Sequence, residues 1–173
     1  GMELPILSAF VARLAEPKIN LAAYGGIVFP LALIIEAPVI MLLAASTALS
    51  KDWASYQKLR NYMLVSGGLL TALHLFTALT PFYYVVAVDI LGAPPEIIEP
   101  ARIGLIIMTP WTWTIAYRRL NQGVMIRFGH SNIIGVGTGV RLTMDISVLV
   151  VGYLLKLPGI VVATTAVAAS VTA

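Results

Sequence analysis

Four ionisable side chains sit where an apolar chain would leave the least water. Glu36 lies in the middle of residues 21–50, a run with no other charge; His74 is near the middle of a second apolar run, and Arg141 and Asp145 share a third. An ionised group at the centre of a membrane helix costs on the order of 2.5–3.5 kcal/mol on insertion scales and commonly marks a working site. The depths of these groups roughly coincide, which points to a polar cavity or a mutual network. Arg141 and Asp145 are four residues apart on one helical face and can pair without any ligand. Glu36 has no such partner in its own helix. His74, between Leu73 and Leu75, suits a neutral packed histidine as well as a polar site.

The surrounding prolines matter to Glu36. Pro38 cannot donate to the carbonyl of Ile34, nor Pro30 to that of Gly26, so the helix carrying Glu36 is expected to kink or unwind locally. A carboxylate beside freed carbonyls is a local design for binding H⁺ or Na⁺, although kinks also serve packing. Glu36 and Asp145 are therefore the candidate cation-coupling groups. Arg118 and Arg119 precede Leu120-Asn121-Gln122-Gly123, a polar turn or a helical extension. Paired guanidinium groups there can hold phosphate or carboxylate, or simply anchor the helix at the interface. Arg118, Arg141, His74 and Gln122 are the polar candidates for substrate binding. Gly135, Gly137 and Gly139 do not follow a strand and suit helix packing better than a dinucleotide loop.

Positioning these groups requires membrane helices. The chain is 59% hydrophobic and only 11% charged, with mean hydropathy +0.91, which gives an all-α, polytopic integral membrane bundle surrounded by lipid. Apolar length places spans at residues 21–50, 62–88, 97–117 and 133–155, with partial segments at 4–14 and 160–173. The first and last helices are thus expected to be truncated pieces of a longer polypeptide, and Gly1-Met2 reads as an expression remnant. Lys51, Lys58 and Arg60 in one connection, and Arg118, Arg119 and Arg127 in another, alternate with acidic Asp89, Glu96 and Glu99. The positive-inside rule puts the two basic connections and the N-terminus in the cytoplasm. The net charge of +3 forms no nucleic-acid stripe, and the absence of cysteine excludes thiol chemistry.

No metalloprotease, nucleophile-elbow or phosphate-loop motif is present, and His130 has no metal-ligand spacing to His74. The expectation is no enzyme, no catalytic residue, no metal and no cofactor beyond a coupling H⁺ or Na⁺. The order of Ala23-Tyr24-Gly25, the Glu36-Ala37-Pro38 break and Arg118-x4-Gly123, followed by Arg141 in the next span, resembles the MATE-like exporters of the multidrug/oligosaccharidyl-lipid/polysaccharide flippase superfamily. Within it, the nearest similarity is to the progressive ankylosis type and its bacterial relatives. The resemblance covers about one six-helix repeat. It implies two six-helix bundles, a central cavity and alternating access coupled to a cation gradient, in a bacterial inner membrane. The second bundle would come from the same chain or from a homodimer partner. Trp111, next to Pro110, could line a cavity for aromatic or cationic drugs, although a packing role suits it better. A secondary exporter of small organic or anionic solutes or drugs is the expected function; a lipid-intermediate flippase and a non-transporting scaffold are the alternatives.

Overall fold

Prolines and one aspartate cap decide where the helices begin and stop. The structure, a computed structural model, describes residues 3–173; Gly1 and Met2, read above as a remnant, lie outside it. Helix α1 (Glu3–Val11) leads through a turn, in which Glu16 has φ 49°, to α2 (Pro17–Ala23). Pro17 opens α2 at a position where its missing N–H is not needed. A π-helical turn, Tyr24–Val28, joins α2 to α3 (Phe29–Ile40). In that turn the Phe29 amide reaches back five residues to the Tyr24 carbonyl, a widened turn that lies immediately before Pro30. Pro38 lies inside α3, and the helix is interrupted at Met41 before α4 (Leu42–Leu49). The expected distortion near Glu36 is thus present on both sides of it.

Helix α5 (Trp53–Leu79) starts well before the expected 62–88 window and ends earlier. Its start is fixed by a capping box: the Ser55 amide donates to Asp52 Oδ1 at 2.8 Å, and the Asp52 amide donates to Ser55 Oγ at 3.0 Å. The hydrogen bonds from Ser55 hold the Asp52 carboxyl below its usual range. Such a group stabilises the fold above the pH at which its unfolded form ionises, and the contribution fades as pH falls. The protection of the Ser55 amide against hydrogen exchange, taken relative to the intrinsic exchange rate at each pH, should therefore fall on acidification, and Asp52→Ala should produce the same loss at neutral pH.

Pro81 stops α5, and α6 (Phe82–Tyr84) runs into a second π-helical turn, Val85–Ile90. The end of α5 leaves carbonyls without helical donors. Arg102 supplies them, with Nε 3.0 Å from the Ala78 oxygen and Nη2 3.1 Å from that of Leu79, while Nη1 donates to the Tyr84 hydroxyl. Arg102 belongs to α7 (Pro95–Ile107), which breaks at Met108 before α8 (Thr109–Arg127). The single expected span 97–117 is thus two helices, because Pro110 cannot continue the ladder. Arg118 to Gly123 form no polar turn: α8 continues through them to Arg127. Helices α9 (Ser131–Leu154) and α10 (Gly159–Thr172) complete an all-helical chain with no strand among the described residues.

Three helical stretches, Pro17–Leu49, Trp53–Leu79 and Ser131–Leu154, are long and apolar enough to cross a membrane. Around them α8 is central, packed on α3, α4, α5 and α10. It runs parallel to α3 and α4, since Phe29 meets Trp111 and Ser46 meets Gly123. It runs antiparallel to α5, where Gly67 meets Ala116 and His74 meets Thr112. Asn20 of α2 accepts the Ile160 amide at 3.0 Å and so caps the first turn of α10. The Gly135, Gly137 and Gly139 run makes none of the helix packing expected of it: a Cβ at each would meet nothing within 4 Å among the described residues.

Candidate functional site

Helix α3 carries Glu36 into the protein, where the residue is 3% exposed. Its Oε2 is buried without a hydrogen-bond partner. A compensating charge comes from α8, whose Arg119 lies within electrostatic reach and whose own Nε is also unpartnered. Packing brings these together: Ser46 of α4 contacts the Arg119 carbonyl at 3.5 Å, and Arg127 donates to the Thr47 and Ala48 carbonyls. The sequence offers Arg119 as an anion-binding partner of Arg118 or as an interface anchor, and neither reading points to Glu36. Only the parallel pairing of α4 with α8 identifies it as the neighbour of Glu36.

Asp145 is 1% exposed, and its Oδ2 also lacks a partner. Arg141, one turn earlier on α9, does not form its ion pair with Asp145. It pairs instead with Glu3 of α1, because α1 lies parallel to α9, as the edge contact of Phe10 with Tyr153 shows. Arg141 and Asp145 still lie within electrostatic reach, as do Asp145 and the buried Tyr24 of the first π-helical turn. Glu36 and Asp145 thus have different neighbours.

The level expected to be shared is spread out. Trp111 stacks near Phe29, with centroids 6.3 Å apart, and the next residue, Thr112, bonds His74; His74 therefore stands about two helical turns, roughly 10 Å, from Glu36 along α3. His74 is fully buried, with Nε2 2.8 Å from the Leu105 carbonyl and Nδ1 3.0 Å from the Thr112 hydroxyl. The carbonyl can only accept, so Nε2 carries the proton and Nδ1 accepts from Thr112. Both ring nitrogens are committed to joining α5 across the α7–α8 break. His74→Leu would strand a buried carbonyl and hydroxyl and should cost about 2–3 kcal/mol in thermal or denaturant unfolding. Trp111 is 5% exposed and packs in the core.

Two other expected substrate residues do meet. Arg118 and Gln122 line a cleft of about 400 Å³ between α8, α9 and the end of α10, together with Thr114, Asn121, Ile133 and Val171. Arg141 is outside that lining. Among the described residues no group of His, Cys, Asp or Glu could hold a metal ion. The arrangement therefore offers two buried carboxylates able to accept a proton or a monovalent cation, and one cationic cleft able to hold an anionic group. No family model, curated protein or solved structure matches this chain.

Proposed function

We propose that the chain is one six-helix bundle of a MATE-like secondary transporter that exports small organic or anionic solutes by alternating access. Glu36 and Asp145 change proton or Na⁺ occupancy during the cycle, and the Arg118–Gln122 cleft receives the solute. The observation that carries this reading is the pair of buried carboxylates, each with an oxygen that no donor satisfies. An unpaired carboxylate is too costly in an apolar interior to be retained as filler, and proton or cation binding removes the cost.

Further support comes from the interrupted Pro17–Leu49 segment, whose π-helical turn and break at Met41 give a long helix two points at which to bend. Lys51, Arg118, Arg119 and Arg127 gather toward one end, because Arg127 ties the end of α8 to the end of α4. By the positive-inside rule that end is cytoplasmic. A second bundle, from the same polypeptide or another copy, completes the transport unit.

The test is flux in liposomes holding the complete unit, with p-aminohippurate as the anionic reporter and ethidium as the cationic one. An imposed H⁺ or Na⁺ gradient should accelerate movement of at least one reporter. Flux of both that ignores both gradients would overturn the proposal.

A further inference from the structure

We infer that the cleft between α8 and α9 binds an amphiphilic monoanion, with its head group on Arg118 and its apolar body along α9. Thr114, Arg118, Asn121 and Gln122 recur at helical spacing, so they form one polar stripe along α8. The facing wall is apolar, supplied by Ile133 and Ile134 of α9 and Val171 of α10. Gly137 forms part of this wall, and the space beside its Cα is open. A cleft with one polar and one apolar wall matches a ligand that is itself divided in that way.

Charge narrows the class further. Arg102 and Arg127 donate to backbone carbonyls and Arg141 pairs with Glu3. Arg118 makes no hydrogen bond or ion pair among the described residues, and it is the only charged side chain lining the cleft. A single guanidinium compensates one negative charge and leaves a compact polyanion largely unbalanced. Tyr117 and Ile133 of the lining are 56% and 48% exposed, so on the membrane reading the ligand's apolar part can enter from the bilayer.

As the substrate site of the proposed transporter, this cleft takes a role that rests on the transport reading; binding itself needs no gradient. The test uses a diazirine-bearing dodecyl sulfonate and the complete protein in phosphatidylcholine nanodiscs, with crosslinked residues mapped by mass spectrometry. Crosslinks should fall on α9 near Ile133 to Gly137 and be displaced by dodecyl sulfonate, but not by dodecanol, methanesulfonate or pyrophosphate. Arg118→Gln should lower labelling about tenfold or more, the loss of a charge-assisted contact, with Arg118→Lys retaining part of it. Gly137→Leu should block the cleft without disturbing the fold, since its side chain enters open space.

Labelling that survives Arg118→Gln, or that dodecanol displaces equally, would reduce the cleft to a lipid-contact surface and overturn the inference. Displacement by methanesulfonate or pyrophosphate would overturn the amphiphilic class. Specific labelling without gradient-driven flux would remove the transport reading and leave the binding site. Flux without specific labelling would do the reverse.

Discussion

With Glu36 changed to glutamine, the proposed gradient-driven transport by the complete unit should fall to the level of empty liposomes while the bundle remains folded. Glutamine keeps the shape and hydrogen-bonding capacity of the side chain but cannot ionise. It therefore cannot exchange a proton or balance Na⁺ across the cycle. The fold should tolerate the change because the Glu36 Oε2 atom has no donor to lose. An uncharged amide is also cheaper to bury than a carboxylate. Stability in detergent should stay within about 1 kcal/mol of the native protein, and Arg119, itself only partly buried, can turn outward. Native flux in the Glu36→Gln protein would remove Glu36 from the coupling role. Loss of both flux and fold would assign it a structural one.

Gly123→Ala should separate α4 from α8 and destabilise the bundle by about 2 kcal/mol or more, since overpacking a tight interface typically costs 1–3 kcal/mol. A Cβ at position 123 would lie 1.8 Å from Ser46 Oγ and 2.5 Å from the Leu43 carbonyl oxygen. The hydroxyl can rotate away, but the backbone oxygen cannot, so the two helices must part. Adding Ser46→Ala should recover only the hydroxyl's share of the loss. The same separation would displace Arg119 from Glu36, because both depend on this helix pair. A fall in the unfolding midpoint measured in detergent is the direct check; an unchanged midpoint would show that α4 and α8 are less closely packed than described.

Much of the architecture was legible because it follows from single residues. Pro30 and Pro38 announced a distorted helix around Glu36, and apolar length announced helices able to cross a membrane. The boundaries were less legible where polar residues ride on a continuing helix. Lys58 and Arg60 lie inside α5 because Asp52 caps it earlier, and Arg118 to Arg127 lie inside α8 because no proline follows Pro110 within that helix.

Within the site, the burial of Glu36 and Asp145 could be read from their apolar surroundings. Their neighbours could not. The spacing of Arg141 and Asp145 favoured a pair within α9, but Glu3 takes Arg141 from a parallel helix more than a hundred residues away in sequence. His74 looked available for a polar site until the α7–α8 break placed the Leu105 carbonyl beside it. These are contacts between separate helices, and periodicity along one helix carries no information about which helix will lie next to it.

The central claim is that Glu36 changes its occupancy, and infrared difference spectroscopy of the complete protein tests it most directly. Spectra recorded across a pH titration, with and without Na⁺, report the carbonyl stretch of a protonated carboxyl group. The proposed coupling role predicts a titrating carboxyl band that is present in the native protein, absent from Glu36→Gln and altered by Na⁺ if that is the coupling ion. A difference spectrum that is identical in the native and Glu36→Gln proteins at every pH, with and without Na⁺, would contradict it.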